Sequence, residues 1–203
     1  MIPYGSNLAS PIENDVQNLI KKRVESEELT FLFVGVRWEE KGGPEAVGII
    51  KELNSKGIKA KLIVVGSTPK IDEDYVEVIG FLDKQDTDQL SKLIELYQKS
   101  TFFILPTKAE CVGMSFIEAA SYGLPTIGSN VGGVPEAVSH KETGLIIDSE
   151  GSPSKIADEI VVLWNDKSMY EEMSIQARKR YSEQMNWKNW AKRVKEVLSK
   201  EVI

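Results

Sequence analysis

Six short apolar runs, at residues 31–34, 62–65, 76–82, 102–105, 125–128 and 144–147, constrain what this chain can fold into more than any other feature. Most of them are continuous in hydrophobicity rather than alternating. A strand with one face in water alternates apolar and polar residues, whereas a strand covered on both faces has no need to. The runs therefore read as strands of a parallel sheet sandwiched between helices. Helical stripes lie between many of them. Ala46, Ile49, Ile50 and Leu53 recur at helical spacing, as do Leu90, Leu93, Ile94 and Tyr97, and Pro44 suits the first turn of the earlier helix. These stripes predict the crossover helices of βαβ units.

The ends of the chain read differently. Before the first run, Val16, Leu19, Ile20 and Val24 mark a helix over 12–24, entered through the turn-like Ile2-Pro3-Tyr4-Gly5-Ser6-Asn7. After the last run the pattern is helical throughout: Ile156, Ile160, Leu163 and Trp164 form one stripe, Tyr170, Met173 and Ala177 a second, and Trp187, Trp190, Val194 and Val197 a third. The expected fold is α/β: a doubly wound, Rossmann-like parallel sheet of about six strands with helices on both faces and an all-helical C-terminal tail. One domain is expected over 1–203, made of a junction segment and helix (1–27), an α/β core (28–150) and C-terminal helices (151–203).

Composition removes several function classes. With 41% hydrophobic and 28% charged residues in 203, the chain can bury a full core, which excludes disorder. A formal net charge of -6 with no concentrated basic face argues against a nucleic-acid partner. Cys111 is the single cysteine and forms no internal disulfide, and no charged segment followed by an apolar core opens the chain; both point to the cytoplasm. The apolar runs fall far short of the roughly 20 residues that span a bilayer, so the expected membrane contact is at most peripheral, at the inner face.

The chemistry is expected in Glu110-Cys111-Val112-Gly113-Met114-Ser115-Phe116-Ile117-Glu118, which follows a buried strand and opens a helix. That places it at the carboxyl edge of the sheet, where ligands of open α/β sheets bind. Gly113 lets backbone come close to a ligand, and a helix beginning near Ser115 presents unpaired N–H groups and its positive dipole end, which suits a diphosphate. On one continuous helix the two glutamates would lie about 12 Å apart along the axis, so Glu110 is expected in the loop and Glu118 in the first turn. Each carboxylate then accepts hydrogen bonds from a different part of one elongated ligand. Two readings of Glu118 stand side by side, because Ser115-Phe116-Ile117-Glu118 is also a literal capping box.

Three segments in order carry a resemblance to a known family. Phe33-Val34-Gly35-Val36-Arg37-Trp38-Glu39-Glu40-Lys41-Gly42-Gly43 looks like a strand-loop-helix that holds donor phosphate. The stretch from Glu110 runs into Glu118-Ala119-Ala120-Ser121-Tyr122-Gly123-Leu124-Pro125, similar to an E-A-x-x-x-G-x-P run. Gly132-Gly133-Val134-Pro135-Glu136 with Thr143-Gly144-Leu145 resembles G-G-x-x-E and t-G-l segments. Together they resemble the carboxyl-terminal, donor-binding domain of the retaining group 1 glycosyltransferases of GT-B fold.

The resemblance implies a hexosyltransferase half that binds a nucleotide-diphosphate sugar as substrate and uses no cofactor. Lys41 matches a phosphate-binding lysine, Glu110 the glutamate at the donor sugar or leaving region, and Glu118 the glutamate at the ribose hydroxyls. Gly113 and Met114 match backbone donors, with Val112 and Ser115 beside them. Gly35 belongs to the phosphate loop, and backbone near Gly80, Phe81 and Leu82 is expected to meet the base. Where the family has an arginine, this chain has Val36. Arg37 supplies the charge only if the strand has ended at Gly35, since adjacent strand residues face opposite ways; otherwise Lys41 and the helix end form the clamp alone. Lys41, Arg37 and the helix N–H groups can stabilise the departing diphosphate, which predicts metal-independent transfer.

The acceptor, a sugar or a lipid, is expected to bind an N-terminal domain absent here. Tyr4-Gly5-Ser6-Asn7, with Pro3, is similar to the family's junction segment, so Met1 is read as a truncated or engineered start and the fragment alone as inactive. Two alternatives remain: a non-catalytic nucleotide-sugar module working with a partner chain, and a sugar-nucleotide epimerase of the same fold. The glutamate pair with Gly132-Gly133-Val134-Pro135-Glu136 favours transfer over epimerisation.

Other features have plainer readings. Asp72-Glu73-Asp74 is a D-x-D string, the metal-diphosphate motif of glycosyltransferases of another fold, but lies in a polar loop. His140 reads as a surface loop residue and Cys111 as a small packing residue. The last helix, with Trp187 and Trp190 among Lys188, Lys192, Arg193 and Lys195, reads as packed on the core, with a membrane-surface helix as the rival; the resemblance implies that it crosses to the N-terminal domain, so some of its apolar face is expected to be exposed.

Overall fold

The computed structural model describes residues 4–148 and 151–200, so Met1, Ile2 and Pro3 of the junction segment and the 149–150 boundary lie outside the described residues. The elements run α1 (Glu13–Val24), β1 (Leu29–Val34), α2 (Gly43–Ser55), β2 (Ala60–Val65), β3 (Val76–Gly80), α3 (Thr87–Lys99), β4 (Phe102–Leu105), α4 (Met114–Ser121), β5 (Thr126–Ser129), α5 (Val134–Ala137), β6 (Gly144–Ile147), α6 (Pro153–Asn165), α7 (Lys167–Gln184) and α8 (Trp187–Lys200). The strands form one parallel sheet in the order β3-β2-β1-β4-β5-β6. The α/β doubly wound architecture and the helical tail are as the apolar pattern predicts.

Continuity of hydrophobicity tracks position in the sheet. Phe31, Leu32, Phe33, Phe102, Phe103 and Ile104 of the central pair β1 and β4 are fully buried, covered on both faces as a continuous run requires. β3 departs from its expected extent of 76–82: it is an edge strand, stops at Gly80, and leaves Glu77 and Val78 exposed. Phe81 and Leu82 continue the apolar run in sequence but belong to the loop beyond it. The fifth run is displaced by one residue, to 126–129, and the turn near Pro135 contains the four-residue α5.

The stripe of α1 contains a residue its spacing does not suggest. Val16 and Ile20 are buried with Arg23, while Leu19 and Val24 are only partly covered. The Arg23 guanidinium donates to the carbonyls of Tyr97 (2.9 Å) and Gln98 (3.3 Å) at the end of α3, and of Tyr122 (2.9 Å) and Gly123 (3.0 Å) at the end of α4. Helix C-termini leave carbonyls without intrahelical donors and carry partial negative charge, so one buried cation closes two helices at once. Arg178 of α7 does similar work nearby, donating to Ser121 O (2.7 Å), Pro11 O (2.9 Å), Ser10 Oγ (2.7 Å) and Glu13 Oε2 (3.0 Å).

α8 leaves part of its apolar face exposed and covers the rest. Trp187 is 44% exposed, Val197 and Leu198 are exposed, and Trp190 and Val194 are half-buried. Its anchor is the amino-terminal segment: Trp187 Nε1 donates to Ser6 O at 3.0 Å and its ring meets Tyr4 at 6.2 Å. Among the described residues no helix is long and apolar enough to cross a membrane.

Candidate functional site

The strand order reverses between β1 and β4, and a doubly wound sheet opens a crevice at its carboxyl edge where that happens. Three loops meet there: 35–42 after β1, 81–86 after β3 and 106–113 after β4. Between them lies a cavity of about 300 Å³. A larger hollow of about 410 Å³, walled by Val162, Leu163, Met169 and Met173, lies elsewhere on the surface. Volume therefore does not choose the site; convergence of charged groups and free helix N–H groups at the sheet edge does.

The loop after β1 is held at both ends. Trp38 packs on Phe33 with ring centroids 5.1 Å apart, and the Gly43 N–H donates to Trp38 O at 2.9 Å. Its far side is tied to the β4 loop, where the Lys108 N–H (2.9 Å) and Thr107 Oγ1 (3.2 Å) both donate to Glu40 O. Lys41 is thereby aimed across the cavity, and its Nζ lies 2.7 Å from Glu110 Oε2, both side chains being 15% exposed. The other oxygen, Glu110 Oε1, accepts from the Cys111 N–H at 3.0 Å.

The Gly132-Gly133 pair forms the floor under this loop. A Cβ on Gly132 would sit 1.9 Å from Glu110 O, and one on Gly133 1.7 Å from Cys111 O. The Gly133 N–H donates to Glu110 O at 3.2 Å. Two residues without side chains thus let backbone lie directly on backbone behind the carboxylate.

The α4 helix begins at Met114, with Gly113 as its cap residue at φ 69 and no side chain capping it. A first turn has no intrahelical acceptor for its N–H groups, so the Met114 and Ser115 amides stand at the cavity wall with the positive end of the helix dipole. The capping-box reading of Glu118 is overturned by this geometry. Ser115 is the second helical residue rather than the cap, and Glu118 is the fifth, in the second turn rather than the first. Its carboxylate is 1% exposed and has other partners: Lys84 Nζ at 2.6 Å from Oε1, and the Tyr97 hydroxyl, which donates to Oε2 at 3.1 Å. Burial first, and the Glu118 charge second, push the Tyr97 phenol well above its ordinary pKa, so it is a permanent donor.

Of the residues expected from sequence, Gly35, Lys41, Phe81, Leu82, Glu110, Gly113, Met114, Ser115 and Glu118 line the cavity. Gly80 and Val112 do not; Val112 is buried beside the Gly133 floor. Arg37 does not line it either. β1 ends at Val34, early enough for the chain to turn, yet the exposed Arg37 guanidinium pairs with Glu40 at 2.9 Å, and Val36 takes the lining position. Lys84 was missed by sequence reading, its only signal being a lysine two residues past Leu82 at the same sheet edge. Cys111 is exposed rather than packed. Asp72, Glu73 and Asp74 precede β3 and so lie at the amino edge of the sheet, opposite the cavity. His140 is exposed, and its Nδ1 accepts from the Ile146 N–H at 3.1 Å.

Comparison with known proteins identifies the family and the fold. Residues 15–180 match the family described as "Glycosyl transferases group 1". The capsular polysaccharide biosynthesis glycosyltransferase CapM of Staphylococcus aureus is 34% identical over 163 residues, covering 76% of this chain and 43% of that protein. The 2-deoxystreptamine N-acetyl-D-glucosaminyltransferase of Niallia circulans is 33% identical over 155 residues, covering 73% and 39%. The chain thus spans less than half the length of these curated relatives. Among solved structures, WaaG, a glycosyltransferase involved in lipopolysaccharide biosynthesis, superposes with a TM-score of 0.73 at 18% identity, covering 94% of this chain and 54% of that one. Anabaena Alr3699/HepE in complex with UDP-glucose superposes at 0.71 with 17% identity, covering 98% and 56%. These two likenesses establish the shared fold.

Proposed function

Because the chain belongs to the group 1 glycosyltransferases, we propose that it is the donor-binding half of a hexosyltransferase that takes its sugar from a nucleotide-diphosphate sugar. One observation carries the reading: Lys41 and the unpaired first-turn amides of α4 converge on a single cavity flanked by two carboxylates. A diphosphate needs concentrated positive potential, and a sugar or ribose needs acceptors for its hydroxyls; the cavity supplies both. The solved relative with UDP-glucose bound supports a donor of this class.

When the sugar–phosphate bond breaks, negative charge grows on the departing diphosphate. Lys41 Nζ and the Met114 and Ser115 amides are fixed dipoles and charge at that place before the reaction begins, so they stabilise the leaving group without reorganising. The clamp is Lys41 with the helix end, since Arg37 is engaged with Glu40. Transfer is therefore assigned as metal-independent. Retention of configuration rests on the resemblance of the three ordered segments. Acceptor binding, of a sugar or a lipid, is assigned to parts of the relatives that this chain does not span, and association with the cytoplasmic membrane face would belong to that longer enzyme.

Amide chemical-shift mapping of the chain with UDP and with GDP tests the reading. Perturbations centred on Lys41, Gly113, Met114 and Ser115, unchanged by a chelator, are expected. Perturbations confined to another surface would overturn the site, and a requirement for added Mg²⁺ would overturn metal independence.

A further inference from the structure

A guanidinium carries five N–H donors, and in Arg23 one of them is left over. The two terminal nitrogens serve the carbonyls of Tyr97, Gln98, Tyr122 and Gly123, while Nε, equally buried, has no hydrogen-bond partner among the described residues. Buried donors on charged groups are rarely left without an acceptor, because the hydration lost on burial is then not replaced. This one belongs to a residue that lines a groove of about 340 Å³ between the last turns of α1 and α3.

Arg23 and Thr101, both 2% exposed, form the floor of the groove. The exposed Lys22, Glu95 and Lys99 form its rim. On the floor the Thr101 hydroxyl is already occupied, donating to Thr30 O at 3.0 Å and accepting from the Thr30 N–H at 2.8 Å. Arg23 Nε is therefore the floor donor that remains open. On the rim Lys99 pairs with Glu95, whereas Lys22 has no carboxylate partner among the described residues. Three cations against one carboxylate leave two positive charges in the groove, on a chain whose formal net charge is -6. The carboxyl ends of α1 and α3 would by themselves oppose an anion here. Arg23 engages the last α3 carbonyls, and Lys21 and Lys22 offset the end of α1.

We propose that this groove binds a phosphate dianion, free or as the head of a small monoester, with one oxygen accepting from Arg23 Nε and the others meeting Lys22 and Lys99. Two positive charges match the dianion, and the phosphate supplies the acceptor that the fifth guanidinium donor lacks. Thr101 precedes β4, so the groove opens at the amino edge of the sheet, opposite the donor cavity. The 13 residues of α3 alone put about 20 Å between the two. The site is thus independent of the donor-site reading.

The test is amide and arginine Nε–Hε chemical-shift titration of the 203-residue chain with inorganic phosphate and with glycerol 1-phosphate, at about pH 8, where a phosphomonoester is a dianion. Sodium chloride at matched ionic strength is the control. Lys41→Ala, which removes the cation of the donor cavity, is titrated beside wild type to separate the two places. Saturable shifts of the Lys22, Ser26, Lys99 and Thr101 amides, kept in Lys41→Ala, are expected, with the Arg23 Hε resonance moving downfield at the same dissociation constant. Tighter binding of the ester would name a phosphorylated metabolite as the ligand, and equal or tighter binding of inorganic phosphate would name the free ion. The Lys22→Gln/Lys99→Gln double variant, altered only at exposed positions, should weaken binding about threefold to tenfold. Shifts confined to Gly113, Met114 and Ser115, equal shifts with chloride, or no saturable shift would overturn the proposal. So would rim amides that respond while the Arg23 Hε stays still, because that is loose counter-ion attraction to surface lysines.

Discussion

Lys41 Nζ and Glu110 Oε2 lie 2.7 Å apart across the mouth of the cavity, an ion pair between two loops that follow different strands. The cation that would hold a diphosphate is thus already engaged by a carboxylate of the same site. A ligand phosphate must compete with Glu110 for it, or share it. Glu110→Gln removes the competing charge while keeping the side-chain shape. Nucleoside diphosphate affinity should hold or rise by up to about tenfold, read by calorimetry. Transfer by an enzyme carrying the substitution should fall. Weaker binding would show that Glu110 positions Lys41 for the diphosphate rather than competing for it.

Gly132→Ala should damage the site from behind. The new Cβ would enter the space of Glu110 O, and the backbone there has φ 50, which costs an L-residue about 1 kcal/mol or more before any clash. Loss of about 2 to 4 kcal/mol of stability is expected in urea unfolding, together with weaker nucleotide binding. Unchanged stability would contradict the backbone-on-backbone floor.

How much of this was legible in sequence follows from the range of each interaction. The strands announced themselves because double-sided burial is written residue by residue, and β3 overran its true end only because Phe81 and Leu82 prolong the apolar run past Gly80. The segments bearing Lys41 and Glu110 were legible for a similar reason, as loops following buried strands. The Glu118 environment was not. Lys84 and Tyr97 are 34 and 21 positions away, and a helical stripe says that Tyr97 is buried without saying what its hydroxyl meets. The capping-box reading of Glu118 could not be dismissed locally, because Ser115 and Glu118 satisfy it in sequence, while Gly113 caps the helix two residues before Ser115. Arg23 sits on the apolar side of α1 because two helix ends converge there, a fact of tertiary packing that no local pattern carries.

Arg23→Met should therefore be costly although no carboxylate pairs with it. Four carbonyls lose their donor inside the core. At about 1 to 3 kcal/mol for a buried unsatisfied group, partly relieved by relaxation, a loss of about 3 kcal/mol is expected in denaturant unfolding. A loss below about 1 kcal/mol would show that the helix ends need no cation.

Alkaline pH should destabilise the fold through its tyrosines. Burial raises the Tyr97 phenol well above its ordinary value, with the Glu118 charge as the second cause, and burial pushes Tyr170 up to about 12. The folded state then keeps protons that the unfolded state gives up, so their contribution is fully present below the unfolded tyrosine pKa of about 10 and falls as pH rises from there through the folded values. Each fully buried tyrosine contributes a slope of up to about 1.4 kcal/mol per pH unit in that window. Unfolding followed from pH 8 to pH 11 should show the decline beginning near pH 10, shallower in Tyr97→Phe than in wild type. A parallel decline in the two proteins would contradict it.

Lys41 and the start of α4 either bind a nucleoside diphosphate or they do not. Calorimetric titration of wild type and Lys41→Ala with UDP and GDP decides this. Saturable binding of at least one nucleotide by wild type, weakened about tenfold to a hundredfold by the substitution, is the predicted result. No binding of either nucleotide, or equal binding by both proteins, would contradict it.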